Sequence, residues 1–353
     1  MRRTFKYRLY PTRTQEQTLD RWLWLCRRLY NACLEQRQVA WQMGHRVSKF
    51  DQMRELPVLK AELPEYRDVD AQSLQDVIDR LDKSFQKFFK GGGYPKFQGR
   101  HRYESVTFKQ TGWKVKDGRL HLRGCGLVKV KWSREIEGDI KTVTVKRTKS
   151  GKWFVCFSCD NVPESVYPAT DNKVGIDLGT MNLVTTSEGE VMGDTRFLQR
   201  KLKYLRRLNR ALARKKNKRS NRRRKHVQRL ARLHEKITNQ RRDMHHKVST
   251  TLVRENAVIA HEDISPQFMI HNKHLARRAA DAGWSQFLTF LQSKAAQAGR
   301  KVVAVNPRGT SQVCSGCGQV VKKALHVRWH RCECGCSLDR DHNAAINILN
   351  RAG

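Results

Sequence analysis

Apolar residues recur at two different spacings along this chain, and each change of spacing predicts a change between strand and helix. Residues 4–10 alternate between apolar and polar side chains and stop at Pro11, as a strand would. Two stretches, about 19–33 and 71–89, repeat apolar residues every three or four positions, which predicts helices with one buried face. Short alternating runs return over 105–159 and predict an antiparallel sheet or barrel.

The second half of the chain alternates strand patterns with helix patterns. Residues 173–179 form an apolar run that contains Asp177 and ends in a turn, and residues 257–263 repeat this design with Glu262. Residues 301–305 form a third apolar run. Strands that alternate with helices in this way predict an α/β sheet.

The charge of the chain is strongly one-sided. Lys and Arg number 71 against 33 acids, so the formal net charge is +38. Such a charge repels itself and favours a polyanionic partner, with nucleic acid ahead of an anionic membrane. The chain begins without an apolar signal core, and no run reaches the roughly 18 apolar residues of a membrane span. We therefore expect a cytoplasmic or nucleoid-associated protein without a membrane partner.

Half of this charge lies in residues 200–247, where 21 Lys or Arg face two acids for a net +19. Two apolar stripes predict a hairpin of two helices; they are Leu202, Leu205, Leu208 and Leu212, then Val227, Leu230, Leu233 and Ile237. The charged faces are either solvated or bound to phosphate, and a single sign at this density favours phosphate. Such contacts position a strand without reading its bases. The candidate contacts are Arg206, Arg207, Arg210, Arg214, Lys215, Lys216, Lys218, Arg219, Arg222 and Arg223.

Five cysteines lie close together near the end of the chain. Cys314-x-x-Cys317 is followed by Cys332-x-Cys334 and then by Cys336. Paired cysteines on tight turns are typical ligands of tetrahedral zinc. We expect the first four to hold one structural Zn²⁺, with Cys336 as the alternative to one member of the second pair.

Three acids stand where a carboxylate metal site can form. Asp177 and Glu262 lie at strand ends, and Asp341 begins the last helix. Two Mg²⁺ ions about 3.5–4 Å apart, held by such carboxylates, can hydrolyse a phosphodiester. Acids at these positions also serve as helix N-caps or in solvated turns. Asp263 and Asp339 are neighbouring alternatives, and Asp339 is also a candidate N-cap.

Taken together, these motifs resemble the TnpB family, the transposon-encoded RNA-guided nucleases related to type V CRISPR effectors. The resemblance spans almost the whole chain, and the segments that carry it are Arg8–Pro11, Gln17, Tyr30–Ala32, Tyr94–Phe97, Gly175–Gly179, Glu262–Ile264, Asn272–Arg277, Trp284, Thr310–Gly318 and Asp339–Ala345. The last two segments are the most specific. One departure is the Cys-x-Cys spacing, where many members have Cys-x-x-Cys.

The resemblance implies a multi-domain α/β protein whose nuclease domain is RuvC-like, with an RNase H fold and an inserted zinc finger. The implied parts are a wedge-like β-barrel at 1–10 and 106–165, a helical recognition domain at 11–105, and a nuclease domain at 172–353 that includes the basic hairpin 200–247 and the finger 308–338.

The resemblance also implies a function. Asp177, Glu262 and Asp341 match the family's catalytic acids, which hold two Mg²⁺ ions. A guide RNA from the transposon end pairs with target double-stranded DNA beside a short motif, with one chain expected per RNA. Gln72 and Gln75 are candidates for reading that motif, unless they only form a polar helix start. Two rivals are a guide-independent RuvC-like nuclease or transposase, and a non-cutting RNA-guided repressor, against which the three intact acids argue.

Overall fold

The chain folds into two compact units, Met1–Pro163 and Glu164–Gly353. The computed structural model describes residues 1–100, 102–164, 167–217, 220–264, 276–324 and 326–353. Two candidate phosphate contacts, Lys218 and Arg219, lie outside the described residues. Residues 272–275, which belong to one of the segments that resemble the TnpB family, also lie outside them. Within the described ranges, no helix has the length and apolar character needed to cross a membrane.

The first unit combines helices with a seven-stranded antiparallel sheet. Its helices are α1 (Arg13–Gln42), α2 (Lys49–Arg54), α3 (Leu56–Glu62) and α4 (Ala71–Phe89), with a 3₁₀ turn at Pro64–Asp68. Its strands are β1 (Arg3–Tyr10), β2 (Ser105–Phe108), β3 (Trp113–Lys116), β4 (Arg119–Leu122), β5 (Gly126–Lys131), β6 (Asp139–Arg147) and β7 (Trp153–Asp160). They run in the order β2-β6-β7-β1-β5-β4-β3. The sheet curls, because Trp113 of β3 contacts Phe157 of β7 although three strands separate them.

The predicted helix patterns of this unit are confirmed. Helix α1 begins at a capping box in which the Thr12 side chain accepts from the backbone N–H of Gln15. Its buried face carries the predicted residues, among them Trp22 and Cys26. Helix α4 begins at Asp70, whose carboxylate accepts the Gln72 N–H at 3.0 Å. Full burial of a large apolar side chain contributes about 1.5–3 kcal/mol, so these faces fix the helices against the sheet.

The second unit contains a five-stranded mixed sheet, ordered β10-β9-β8-β11-β12. Its strands are β8 (Lys173–Leu178), β9 (Asn182–Thr186), β10 (Val191–Asp194), β11 (Val258–Glu262) and β12 (Lys301–Val305), and a separate hairpin joins β13 (Trp329–Arg331) to β14 (Ser337–Asp339). Its described helices are α5 (Phe197–Ala213), α6 (Asn221–Glu255), α7 (Ala276–Ala282), α8 (Trp284–Gln297) and α9 (Arg340–Asn350). Strands β8, β11 and β12 are parallel, whereas β9 and β10 are antiparallel.

The two faces of this sheet pack against different helices. Val174 and Ile176 of β8 join a core that includes residues of α6 and α8. The alternate residue, Gly175, faces α9, because a Cβ there would lie 2.1 Å from the Ala345 carbonyl oxygen. Side chains alternate between the faces of a strand, so Asp177 shares the α9 face. The mixed α/β class with a cysteine cluster, expected from the sequence, is confirmed.

Helices α5 and α6 pack through a small apolar seam. Leu208, Leu233 and Ile237 are buried there, and Leu205 and Leu230 are packed against them. The prediction was wrong at Val227, which is 40% exposed. This residue lies in the second turn of α6, near the tip of the hairpin, beyond the turns that pack against α5.

Candidate functional site

The three predicted catalytic acids come from three elements that meet on one face of the mixed sheet. Parallel strands β8 and β11 pair with His261 opposite Ile176, so Glu262 and Asp177 are level with each other. Asp341 lies in the first turn of α9, which packs on this face. Asp263, the neighbouring alternative, is exposed, whereas Glu262 is 8% exposed. Local pairing and packing therefore turn the strand-end acids toward α9.

Asp177 is the electrostatic centre of this group. Burial raises its pKa, and the negative charges of Glu262 and Asp341 raise it further, to about 8, against the opposing charge of Arg340. An isolated aspartic acid titrates near 3.9. The charges of Glu262 and Asp341 therefore oppose the ionisation of Asp177, and a bound cation would relieve this opposition.

Glu262 is held by a residue that the sequence did not single out. The Thr310 hydroxyl donates to the Glu262 carboxylate, and Thr310 is itself buried. Burial raises the pKa of Glu262, while this hydrogen bond and the charge of Arg351 act in the opposite direction. The Asn347 amide donates to the Thr310 carbonyl at 2.8 Å, so α9 fixes the segment that carries the hydroxyl.

Asp341 is held by two arginines. Arg328 approaches it at 3.1 Å and Arg340 at 3.4 Å. Asp339 does not compete for this role, because its carboxylate caps α9 by accepting the backbone N–H of Asp341 at 2.8 Å. The prediction of Asp339 as an N-cap is confirmed. The spacing of residues along the chain carried no signal for the contacts of the two arginines.

Close sets of possible metal ligands are found at the cysteines. Among the described residues, the sets of three or more such groups within 4.8 Å of one another are the four predicted cysteines, and Cys314 with His330 and Cys336. The acids on the sheet face are not among them, and Asp341 is turned to its arginines. A metal at the acids therefore has to compete with the Arg328 contact.

The four predicted cysteines have the spacing of a tetrahedral site. The Sγ atoms of Cys314 and Cys334 are 3.7 Å apart, and those of Cys317 and Cys332 are 3.5 Å apart. Zinc–sulfur bonds of about 2.3 Å in tetrahedral geometry place sulfurs about 3.8 Å apart. This cluster could hold a metal ion. Asn343 of α9 supports it, because its amide oxygen accepts from the Ser315 N–H at 3.0 Å.

The second set is a poorer ligand set. It offers three ligand atoms rather than four, and Nδ1 of its His330 is already in contact with Nζ of Lys323. Cys336 lies 3.9 Å from the Ser315 hydroxyl. The geometry therefore favours the set of four cysteines over one that uses Cys336.

The charges of the thiols also favour a cation. Burial opposes ionisation of Cys314, but backbone hydrogen bonds at Cys317 and Gly316 outweigh it and lower the Cys314 pKa to about 5. A hydrogen bond at Gln319 lowers the pKa of Cys317, but contacts with Cys334 and Cys332 outweigh it and raise the pKa overall. One thiolate thus suppresses the next until a cation balances them.

The described candidate phosphate contacts on α5, on α6 and in the connection between them mostly face solvent. Arg206, Arg207, Arg210, Arg214, Lys216 and Arg222 are exposed, and Lys215 and Arg223 are half-buried.

The first candidate for motif reading, Gln72, has a local partner: its amide oxygen accepts the backbone N–H groups of Gln110 and Thr111 at 2.9 and 3.1 Å. Gln75 is half-buried on the same helix.

Replacing Asp177 with Asn is expected to change how stability depends on pH. The folded pKa of about 8 lies above the unfolded value of about 3.9. In metal-free wild type the stabilising contribution of Asp177 is therefore full below about pH 4 and is lost as pH rises to about 8, by at most about 1.4 kcal/mol per pH unit. The variant lacks this loss. Thermal unfolding in a chelator should show its advantage widening from about pH 5 to pH 8; a constant difference contradicts the expectation.

Replacing Gly175 with Ala is expected to move α9 away from β8. The added Cβ would meet backbone atoms, at 2.1 Å from Ala345 O and 2.7 Å from Leu349 N. Such overpacking costs about 1–3 kcal/mol of stability, and it shifts Asp341 relative to Asp177. The unfolding midpoint measures this cost. Gly99→Ala is the control, because a Cβ there meets nothing within 4 Å; equal behaviour of the two variants contradicts the packing argument.

Three protein-family models match the chain. A Cas12f1-like TNB domain matches residues 284–348, a probable transposase matches 156–272, and a helix-turn-helix domain matches 1–46. Over the last range the structure has strand β1 and the single long helix α1 rather than two short helices.

Relatives match over nearly the whole chain. A putative RNA-guided DNA endonuclease of Streptomyces pristinaespiralis is 36% identical over 359 residues, which is 99% of this chain and 89% of that protein. The putative RNA-guided DNA endonuclease InsQ of Escherichia coli K12 is 31% identical over 369 residues, 98% of this chain and 91% of that protein. A solved structure described as the mini-RNA-guided endonuclease CRISPR-Cas_phi3 aligns at 11% identity with a TM-score of 0.46, covering 100% of this chain and 92% of that one. Because these two relatives are 36% and 31% identical over 99% and 98% of its length, this chain belongs to the TnpB family.

Proposed function

We propose that this protein is an RNA-guided, Mg²⁺-dependent endonuclease that cuts target double-stranded DNA beside a short transposon-associated motif. The observation that carries the proposal is the meeting of Asp177, Glu262 and Asp341 on one sheet face, where two of them raise the pKa of the third. Membership of the TnpB family supports the reaction class, because the two relatives that match nearly the whole chain are named as putative RNA-guided DNA endonucleases.

The residues present fit a magnesium site. Asp177, Glu262 and Asp341 offer carboxylate oxygens, which Mg²⁺ prefers, and their mutual repulsion at Asp177 is the charge that a cation neutralises. Two Mg²⁺ ions held there would supply activation of water and stabilisation of the leaving oxygen. Thr310 holds Glu262 in place through its hydroxyl, and α9 holds Thr310 through Asn347.

The two arginines beside Asp341 are suited to binding the DNA backbone. In the structure Arg328 and Arg340 contact this carboxylate. When Asp341 turns to a cation, both guanidinium groups are left beside the site, where they can bind a phosphate oxygen of the strand to be cut. We therefore assign them to positioning the DNA backbone.

The hairpin of α5 and α6 is proposed to hold the guide RNA or its hybrid with DNA. One apolar seam docks the two helices, which leaves the basic faces outward. Arg206, Arg207 and Arg210 are exposed on α5 with the rest of the basic series. Binding through phosphates releases counterions, so affinity should fall steeply with salt.

The remaining partners follow the same proposal. The RNA derives from the transposon end, one chain acts per RNA, and the complex is cytoplasmic and associated with the nucleoid. Zn²⁺ at Cys314, Cys317, Cys332 and Cys334 stabilises the finger. Gln75 remains the better candidate for motif reading, since the Gln72 amide oxygen is already engaged.

The test is to purify the protein from a host that carries its transposon and to sequence the bound RNA. We expect one dominant RNA whose 3′ or 5′ segment can be replaced to redirect cutting to a new DNA target. Cutting that needs no RNA would support the guide-independent nuclease or transposase. Guided binding without cleavage at any Mg²⁺ concentration would support the repressor.

A further inference from the structure

Four aromatic rings cluster at the end of α4 and in the loop after it, and we call this cluster, Phe85, Phe88, Phe89 and Tyr94, the aromatic platform. The ring of Tyr94 lies 5.1 Å from Phe88 and 5.7 Å from Phe85, edge-on to both. Phe89 lies 5.5 Å from Phe88 and is stacked with Phe85 at 6.3 Å. Arg37 covers the Phe85 ring from α1 at 5.1 Å.

The outer rings of the platform face solvent. Phe89 is 77% exposed and Tyr94 is 42% exposed, and Phe97, three residues on, is 49% exposed. Aromatics of the same unit that serve the core, such as Trp22, are 1% exposed. Contiguous exposed apolar surface is uncommon on soluble proteins and usually marks an interaction site.

The stretch of chain that carries the platform is basic. Residues 83–103 contain six Lys or Arg and no acid. Lys83, Lys87 and Lys90 line an open groove of about 480 Å³ on the other side of α4 from the rings of Phe85 and Phe88. The acid just before this stretch, Asp82, is paired with Arg37 at 3.2 Å. Exposed rings in a basic stretch of chain are the combination that binds single-stranded nucleic acid, with bases on the rings and phosphates on the basic side chains.

The loop that carries Tyr94 is fixed in place. The N–H of Gly92 donates to the Lys87 carbonyl at 2.9 Å, and a Cβ on Gly92 would lie 2.8 Å from that oxygen. Further along, Asn31 and Gln98 exchange two hydrogen bonds, of 3.1 and 2.7 Å. The rings are therefore held before any ligand binds, which lowers the entropy lost on binding.

We infer that the aromatic platform stacks unpaired bases of RNA while basic residues of the stretch 83–103 hold the phosphates. Bases inside a duplex are already stacked on each other, so duplex DNA cannot use the exposed rings. The choice of RNA over single-stranded DNA rests on the proposed function, in which RNA is the partner that arrives unpaired. A protein partner is disfavoured by six basic residues without an acid.

The test compares two substitutions of Phe89 in the RNA-free full-length protein. Phe89→Leu keeps apolar area but removes the aromatic face, and Phe89→Trp keeps the face. The probe is a short single-stranded RNA containing 2-aminopurine, whose fluorescence is quenched on stacking. Phe89→Leu should lose quenching and bind about tenfold more weakly, whereas Phe89→Trp should match wild type. The control is Phe50→Ala, which removes a 61% exposed ring next to an acid and should change neither signal.

Three results would overturn the inference. The first is quenching by Phe89→Leu equal to wild type, which would make the platform an apolar surface only. The second is duplex RNA that competes as well as single strands, which would leave only phosphate binding. The third is single-stranded DNA of the same sequence that binds and quenches more strongly than RNA. The test does not depend on cleavage. If the wild-type protein quenched the probe normally but never cut DNA, the proposed function would be contradicted while the inference about base stacking on the platform would still hold.

Discussion

Asp177→Asn is expected to lower guided DNA cleavage on the order of 10³-fold or more, because the acid works as part of a unit and its partners cannot replace it. Asp177 sits between Glu262 and Asp341 electrostatically, so its loss removes the central ligand of the proposed Mg²⁺ site. The Asn side chain is nearly isosteric and carries no charge, so folding is maintained. Single-turnover cleavage of a guided target in Mg²⁺ measures the effect.

The matched control is Asp263→Asn. Asp263 is adjacent to Glu262 in sequence but exposed, and it should leave cleavage within about twofold of wild type. Guided DNA binding, measured by filter retention, should be the same for both variants. Cleavage by Asp177→Asn at the wild-type rate would refute the site, and equal loss in both variants would point to a general effect of charge.

Cys314→Ser is expected to release the bound zinc and unfold the finger. Cys314 is 1% exposed, and its sulfur lies 3.7 Å from that of Cys334. Structural zinc contributes an apparent 10–16 kcal/mol in small finger peptides, roughly the whole stability of such a subdomain. The loss should extend to cleavage, because Thr310 and Arg328, which contact the acids, lie within the finger segment 308–338. Zinc per chain, measured by mass spectrometry of the metal, and cleavage should fall together.

Cys336→Ser is the matched control for this change. Both residues are cysteines of the same segment, but Cys336 belongs to the three-residue set with His330 and not to the set of four cysteines. It should retain one zinc per chain and wild-type cleavage. Loss of zinc in this variant, with retention in Cys332→Ser or Cys334→Ser, would show that the second pair has been assigned wrongly.

Most of the elements could be predicted from local pattern. The faces of α1 and α4, and the apolar runs of β8, β11 and β12, follow from side-chain period, which reflects burial on one face or two. The cysteine spacing predicted a cluster, because the knuckle is a local structure. Val227 shows the limit of pattern: its spacing fits the stripe, but burial needs a partner helix, and α5 does not pack there.

The sequence by itself determined the chemistry available to this protein. It placed carboxylates at two strand ends and a helix start, thiols at zinc spacing, and one sign of charge along a hairpin. Only the tertiary structure decided how these groups act. The register of β8 with β11 and the closeness of α9 at Gly175 bring Asp177, Glu262 and Asp341 to one face, and they place Thr310 and Arg328 against two of them. These contacts join residues far apart in the chain, and such pairs are selected by packing of the whole unit, which no local spacing encodes.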